Sequence, residues 1–490
     1  MRRLLSILCL FLCLLTSCRQ DIISDDPSMC LRFSHDNILF DTVFTAMGSS
    51  TRRVMVYNPN THAICINRVS MKDGRYFHIN IDGENTPDRL QNITIRGGDS
   101  IFMFIRANID TQAVNAPVLI EDTIAFLVNG NVQQIALQAY GQNVEILKDR
   151  SSGLFICEDC TLNNCKPYII YDTLVVNGDL TILPGATLYM HANALIHVYG
   201  SLSANGTLAQ PITIRGDRTD RLFDSVPYRV ASGQWNGIYL LHSKDRPTPT
   251  YTLNHVDITS GTVGLYVYSE TTDSRPTLTF ANGRIHNHSV YGMVLQNVDA
   301  KVVNSEISNC ASFCVYLAGG TQQFLHSTIA SYFGYPYTNI NIHNSAVRDT
   351  LSAVYINNLS KTMAPTAASF HGCVIAGAAR NNLRVATPLN NFYQGSFTGN
   401  YLQCDTLPQA FATQNVYGTH NDTVFRNIYY RINEYRYYDF RLDSVSPARG
   451  IADTLLIDNP NTDTLLLHDR LGHPRKPRPD AGCYEWITGG

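Results

Sequence analysis

The sequence predicts an all-β protein in two parts, a β-sandwich followed by a β-solenoid whose chain winds in stacked coils. Three observations lead to this fold class. A four-residue box repeats through the second half of the chain, at intervals typical of solenoids. The first third alternates apolar and polar residues in short runs, as half-buried strands do. No span carries a long apolar period of 3.6, which argues against helical repeats.

The repeated box reads Asn or His, then a small residue, then any residue, then Ile or Val. Its five copies begin at Asn282, Asn304, His326, Asn344 and His371, and degenerate copies begin at His255 and Thr398. The aliphatic positions are 18 to 27 residues apart, which suits one coil per repeat. We expect the aliphatic column to point inward. The Asn/His column should form a structural ladder, with hydrogen bonds between like side chains of stacked coils. Its members are His255, Asn282, Asn304, His326, Asn344 and His371.

This pattern resembles the right-handed parallel β-helix of the pectate-lyase-like superfamily over residues 167–445. The end of the chain, with Asp469-Arg470-Leu471-Gly472 and Pro479-Asp480-Ala481-Gly482-Cys483, resembles secreted β-helix proteins of the choice-of-anchor Q type, although Arg449 and Cys483 depart from that pattern. The resemblance implies a C-terminal cap, residues 446–490, that covers the open end of the solenoid. The superfamily contains enzymes, adhesins and scaffolds, so the fold does not give the function.

Residues 30–146 contain seven short alternating segments separated by turn residues such as Asn58-Pro59-Asn60. Seven strands in about 115 residues predict an immunoglobulin-like β-sandwich. Residues 147–166 are expected to be a linker. It contains Cys157, Cys160 and Cys165, for which a disulfide, free thiols and a metal site remain open.

The N-terminus has the pattern of an export signal. Arg2 and Arg3 precede an apolar run that is too short for a permanent membrane span. Leu15-Thr16-Ser17-Cys18 resembles a bacterial lipobox, which implies a signal peptide at 1–17 and a lipid on Cys18; a simple signal peptide with a chance cysteine is the alternative. Ser24-Asp25-Asp26, within an 18–29 tether, resembles the surface-export signal of Bacteroidota lipoproteins, or is a solvated acidic tether.

Composition limits the kinds of partner that the protein is expected to bind. The net charge is −3 and only 16% of residues are charged, which argues against nucleic acid. The 27 tyrosines suit either a glycan- or protein-binding β surface or ordinary strand faces. No phosphate loop, nucleophile elbow or dinucleotide fingerprint occurs, so the sequence predicts no cofactor. Outside the three cysteines it predicts no metal site.

The candidate catalytic residues are Asp257, Arg284 and Glu306, which precede the aliphatic position in three successive boxes. Stacking would separate the two carboxylates by about 9–10 Å, which fits an inverting glycosidase. Arg284 between them would keep both ionised and leave no general acid, so a surface ion ladder is favoured.

We therefore expect a non-enzymatic binding or scaffold protein, lipid-anchored at the outer membrane and exposed on the cell surface. Its partner would be an outer-membrane protein assembly or a surface glycan. The alternative is a β-helix polysaccharide lyase or glycoside hydrolase. Acids converging from the Leu222–Gln234 segment onto Asp257 and Glu306 would favour that alternative.

Overall fold

The computed structural model describes residues 22–85, 90–149, 151–223, 226–333, 352–359, 363–386, 394–419, 422–428, 438–454 and 463–488. The chain divides into two compact units, Met1–Asn143 and Val144–Gly490. Both are all-β over the described ranges, where short 3-10 turns occur at Tyr228–Val230 and Thr464–Leu466. No helix in those ranges is both long and apolar enough to cross a membrane. Cys18 lies outside the described residues.

The N-terminal unit consists of two mostly antiparallel sheets around one hydrophobic core. All seven segments predicted from the sequence are strands, and three further strands join them. The six-stranded sheet contains Ile23–Ser24, Ala63–Met71, Gln91–Ile95, Val118–Val128, Asn131–Gln142 and Asn37–Phe44. The four-stranded sheet contains Arg32–Phe33, Arg52–Tyr57, Ser100–Ala107 and Phe77–Ile81. Alternate residues point inward, so that Val54 and Val56 of one sheet face Ile64 and Ile66 of the other in a single core.

Part of the expected tether belongs to this unit. Ile23 and Ser24 pair in parallel with Ala63 and Ile64, and Asn129 Nδ2 donates a hydrogen bond to the carbonyl of Asp26 at 2.9 Å. A solvated acidic tether is one of the two alternatives for this segment, and the pairing of Ile23 and Ser24 shows that these residues are not free of the N-terminal unit. Strand pairing requires only backbone groups, which the side-chain pattern does not reveal.

The second unit is a parallel β-helix made of three stacked sheets, which we call S1, S2 and S3 in the order that each coil visits them. S1 contains Glu145–Leu147, Tyr168–Ile170, Thr187–Met190, Ile212–Gly216, Val256–Thr259, Arg284–His288, Glu306–Cys310, Thr328–Ser331, Val374–Gly377, Tyr401–Leu402 and Val416–Tyr417. S2 contains Leu154–Cys157, Thr173–Val176, Leu195–Val198, Gly237–His242, Val263–Ser269, Tyr291–Gln296, Val315–Ala318, Val354–Asn357 and Leu383–Ala386. S3 contains Cys160–Leu162, Leu180–Ile182, Leu202–Asn205, Thr250–Asn254, Thr277–Ala281, Asp299–Val303, Gly320–Leu325, Thr366–His371, Phe397–Thr398 and Ala412–Thr413. Two hairpins outside the coils pair Arg221–Phe223 with Val226–Pro227 and Phe425–Asn427 with Asp439–Leu442.

The interior of the coil is a continuous apolar core, because inward positions stack on like positions of the next coil. The predicted aliphatic column lies there: Ile258, Ile285, Ile307 and Ile329 pair in register from coil to coil and are fully buried. On S3, the rings of Phe324, Phe370 and Phe397 stack with centroids 4.6 and 5.2 Å apart.

The segment expected to be a linker, residues 147–166, is instead the first coil. Leu154–Cys157 pairs with Thr173–Val176, and Cys160–Leu162 pairs with Leu180–Ile182. Its strands are only three or four residues long and are half exposed at the end of the solenoid, so they lack the long apolar run by which buried strands are recognised.

Two copies of the box differ from the prediction. The strand Thr328–Ser331 pairs directly with Val374–Gly377, so the Asn344 copy adds no strand between them, and Asn344 itself lies outside the described residues. In the next coil Ile375, rather than Val374, stacks on Ile329. The turn position is therefore Gly372, with a φ of +61°, and His371 is the last residue of the preceding strand.

The physical requirement at the turn is a left-handed backbone. His255, Asn282, Asn304 and His326 have φ values between +44° and +52°, a region that Asn and Gly tolerate best. The predicted Asn/His column therefore identifies the left-handed turn that joins S3 to S1. The box repeats along the sequence because each of these coils needs the same turn.

The C-terminal segment was expected to cover the open end of the solenoid, but its residues 463–488 contact the side of the coils instead. Residues 463–488, which we call the strap, lie along the outer face of S1 and its edge with S3. Arg470 contacts Asp257, Lys301 pairs with Asp463 at 2.6 Å, and the Gly482 amide donates to the Gly372 carbonyl at 2.7 Å. The strap therefore spans several middle coils. The side of the coils exposes apolar and polar groups, as the open end does, so it can also bind the strap.

Candidate functional site

The three candidate catalytic residues do stack on consecutive coils of S1, as predicted. Asp257 pairs in register with Arg284, and Arg284 with Glu306. Arg284 Nε donates to Glu306 Oε1 at 3.0 Å. The strap adds two groups that the sequence pattern does not reveal, because Arg470 pairs with Asp257 and the Tyr484 hydroxyl donates to Glu306 Oε2 at 2.5 Å.

The charges of this column are fixed by the contacts. Glu306 is only 3% exposed. Burial alone would raise its pKa, but Arg284, His286 and Arg470 outweigh burial and hold the pKa of Glu306 at about 2. Burial and the Arg284 charge hold the pKa of His286 well below its ordinary value.

These environments do not suit acid–base catalysis. A glycosidase needs one carboxylic acid with a raised pKa beside an ionised partner, and the pKa of Glu306 is lowered. The segment 222–234 faces S1 with Arg229, Val230, Ala231 and Ser232, and its described residues add no carboxylate there; Asp224 lies outside them. The column is an ion ladder that fastens the strap to the coils.

The predicted Asn/His ladder also serves the strap, and we find little hydrogen bonding between its members. Asn304 Nδ2 donates to the carbonyls of Leu465 and His468, and Asn304 Oδ1 accepts from Arg475 Nη2 at 2.6 Å. Asn282 instead donates to Asn254 Oδ1 at 3.0 Å. His326 is fully buried, and burial together with Arg475 holds its pKa well below the ordinary value.

A second surface, on S2, has no covering segment among the described residues. Its outward column carries an aromatic ring on most coils. From coil to coil it reads His197, Tyr239, Tyr266, Val294, Tyr316, Tyr355 and Arg384. Seven coils at about 4.8 Å extend over roughly 29 Å. All except the buried Val294 are partly or fully exposed.

Two neighbouring rings, Tyr291 and Phe313, widen the column beside Val294. Phe313 stacks on Tyr355 at 5.0 Å and on Tyr291 at 6.1 Å. Tyr239 and Tyr266 stack at 5.1 Å with an interplanar angle of 28°. We call the seven rings the aromatic stripe: His197, Tyr239, Tyr266, Tyr291, Phe313, Tyr316 and Tyr355.

Hydrogen bonds and one arginine hold the rings in place. The Tyr266 hydroxyl donates to Gln296 Oε1 at 2.6 Å, and Asn357 Nδ2 donates to the Tyr316 hydroxyl at 2.9 Å. The Arg384 guanidinium lies 5.4 Å from the Tyr355 ring centroid, a cation–π distance. The result is a rigid, half-exposed platform of rings edged by amides and hydroxyls.

The number of tyrosines in the sequence does not by itself locate this surface. A signal was present, because four S2 strands place a Tyr between two aliphatic residues: Ile238-Tyr239-Leu240, Leu265-Tyr266-Val267, Val315-Tyr316-Leu317 and Val354-Tyr355-Ile356. These strands are unequally spaced along the sequence, above all Val315–Ala318 and Val354–Asn357. The unequal spacing hides the alignment from a search for a fixed period.

The cysteine cluster is present as thiols. Cys157, Cys160 and Cys165 are free, and burial raises the pKa of Cys160 to about 12. Within the described ranges, no three His, Cys, Asp or Glu side chains converge as metal ligands would.

Comparisons with known proteins bear on the fold. Residues 236–401 match the family model described as "Right handed beta helix region". The match and the three stacked parallel sheets together identify a right-handed β-helix. No curated protein sequence matches the chain. Among solved structures, the VesB protease of Vibrio cholerae is similar over 23% of this chain and 31% of its own length, at 10% identity and a TM-score of 0.17. The chain thus spans under a third of that protein, and this likeness supports no conclusion.

Proposed function

We propose that this protein is a non-enzymatic, lipid-anchored binding protein of the outer membrane, exposed on the cell surface, and that it holds a glycan chain on the aromatic stripe. The N-terminal unit would be an immunoglobulin-like spacer between the lipid on Cys18 and the β-helix. The lipobox and acidic tether support the anchoring, and the Bacteroidota-type origin is part of the same proposal.

The observation that carries the glycan proposal is the aromatic stripe. Sugar rings have apolar C–H faces and hydroxyl edges, and a row of half-exposed aromatic rings with hydroxyl tips offers both apolar carbon and polar atoms along one line. Five of the seven rings follow one column of S2, and Tyr291 and Phe313 lie beside it, so the rings suit an extended chain better than a compact ligand.

The non-enzymatic part rests on the carboxylates. Glu306 has a lowered pKa and Asp257 is paired with Arg470. The acids that the sequence offered as a catalytic pair are therefore engaged in fastening the strap.

Glycan binding is tested with the full-length chain purified in mild detergent and a panel of surface polysaccharides. Replacing Tyr239 and Tyr266 together by Ala removes two stacking rings, each contributing about 0.5–1.5 kcal/mol, so affinity should fall about tenfold or more. Tyr140→Ala, at an exposed tyrosine of the N-terminal unit, is the matched control and should bind normally. Equal binding by all three proteins refutes the stripe as the binding surface, and release of new reducing or unsaturated ends refutes the non-enzymatic proposal.

Anchoring is tested separately. Cys18→Ser should move the protein from the membrane fraction to the soluble fraction and abolish incorporation of labelled palmitate, because both depend on the same thiol. Protease treatment of intact cells then reports the exposed face. Co-purification with a stoichiometric outer-membrane barrel would favour a protein assembly over a glycan as the partner.

A further inference from the structure

A cleft of about 770 Å³ lies on the outer face of S1, separate from the aromatic stripe. Its floor comes from three successive strands, which contribute Thr213 and Arg215, Asp257 and Thr259, and Arg284 and His286. We call it the S1 cleft. The volume falls within the range of small-molecule sites.

The walls of the S1 cleft are held by the fold. Ser260 Oγ donates to the Arg229 carbonyl at 2.7 Å, and Asn287 Nδ2 donates to the Val230 carbonyl at 2.8 Å. These bonds fasten the segment 229–232 above one side of the floor. On the other side lies Tyr438, whose ring is 6.3 Å from that of His286.

The S1 cleft carries more positive than negative charge. Arg215, Arg229 and Arg284 line it, against Asp257 alone. Asp257 is paired with Arg470, and Arg284 is paired through Nε with Glu306. Arg215 donates only to backbone carbonyls, those of Gly216 and Arg218, both at 3.3 Å, and forms no ion pair with any described residue. Such a cation in a polar cleft is favourable to a bound anion.

Arg284 also has nitrogens that can bind an anion. Arg284 uses Nε for Glu306, and its two terminal nitrogens have no hydrogen-bond partner among the described residues. The strands that hold Arg215 and Arg284 are two coils apart, about 10 Å. The cleft therefore has room for two acidic groups of one chain, one beside each arginine.

We propose that the S1 cleft binds an acidic oligosaccharide, with one acidic sugar on Arg215 and a second on Arg284. The hydroxyls of Thr213, Thr259 and Ser232 and the amides of Asn287 and Asn309 line the space between and around them. Those groups match the hydroxyls of a sugar, and the Tyr438 ring offers a stacking face. This site is additional to the stripe and does not depend on the proposed glycan binding there.

The test is calorimetric titration of the full-length chain in detergent with three acidic tetrasaccharides, from hyaluronan, chondroitin 4-sulfate and alginate. At least one should bind, with affinity that falls as salt rises from 50 to 500 mM, while its carboxyl-reduced form and inorganic sulfate should bind at least tenfold more weakly. Equal binding of inorganic sulfate would show a simple anion site and overturn the proposal. So would failure of all three tetrasaccharides to bind.

Variants locate the binding. Arg215→Gln should weaken tetrasaccharide binding tenfold or more, because it removes a charge-assisted bidentate contact. Ser232→Glu adds a carboxylate to the wall without disturbing the floor and should weaken it similarly, so a fold defect in the first variant does not decide the outcome. Arg68→Gln, at an exposed arginine of the N-terminal unit, is the charge-matched control. Unchanged affinity in both cleft variants overturns the proposal.

The two binding proposals fail independently. The Tyr239 and Tyr266 double variant should keep its affinity for the acidic tetrasaccharide, and Arg215→Gln should keep its affinity for a neutral polysaccharide on the stripe. Loss of tetrasaccharide binding in the stripe variant would place both ligands on S2 and overturn the separate cleft.

Discussion

Glu306 stabilises the attachment of the strap, and the size of its contribution follows from its pKa. The pKa falls from 4.5 to about 2 on folding. At about 1.4 kcal/mol for each tenfold change in the proton equilibrium, the ionised carboxylate stabilises the folded protein by about 3 kcal/mol. Glu306→Gln at pH 7 should therefore lower the free energy of unfolding by about 3 kcal/mol, which agrees with the cost of breaking a buried ion pair.

The contribution of Glu306 to stability depends on pH in a defined direction. Because the folded-state pKa of Glu306 is below the unfolded value, its contribution is fully present above pH 4.5 and is lost as the pH falls toward 2. The difference between wild type and Glu306→Gln should thus shrink from about 3 kcal/mol at pH 7 to about half that value at pH 3.

The measurement is urea unfolding at a series of pH values, followed by tryptophan fluorescence. Trp235 reports on the coils and Trp486 on the strap. Glu158→Gln, at an exposed carboxylate of the same unit, is the control and should differ from wild type by less than about 0.5 kcal/mol at any pH. A Glu306→Gln difference that is absent at pH 7, or that stays constant down to pH 3, would refute the ion-pair reasoning.

Three further predictions test the architecture. Phe370→Ala should destabilise the β-helix by about 3–5 kcal/mol in urea unfolding, because it opens a cavity in the buried ring stack; a loss below 1 kcal/mol would contradict that packing. Arg475→Met should increase hydrogen exchange throughout the strap, since it breaks the 3.0 Å buried pair with Glu485 at a cost of about 3–5 kcal/mol; unchanged exchange would mean that other contacts suffice. Gly372→Ala should lower the free energy of unfolding by about 1–2 kcal/mol in thermal unfolding, because the φ of Gly372 is +61°. His371→Ala should lower it by less than about 1 kcal/mol. The reverse order would mean that His371, as the sequence predicted, occupies the turn.

The predicted fold was accurate where a local pattern repeats. Ile285 and Ile307 lie in the core column because an inward position recurs in each coil, and Asn282 adopts the left-handed turn that its residue type favours. The alignment failed at Asn344 and His371, because Thr328–Ser331 pairs directly with Val374–Gly377 and the number of residues per coil changes there. A pattern that counts residues cannot tell a longer turn from an additional coil.

The candidate site shows the same division. Asp257, Arg284 and Glu306 stack as their spacing predicts, because strand register is local to adjacent coils. Their role was decided by Arg470 and Tyr484, which come from more than 170 residues away in the chain. The sequence by itself determined the coil, its inward column and its turns, since these follow from a short repeated choice of residue. Only the tertiary structure decided where the strap lies, which charges it neutralises and which rings align on S2, because those contacts join residues that no sequence period relates.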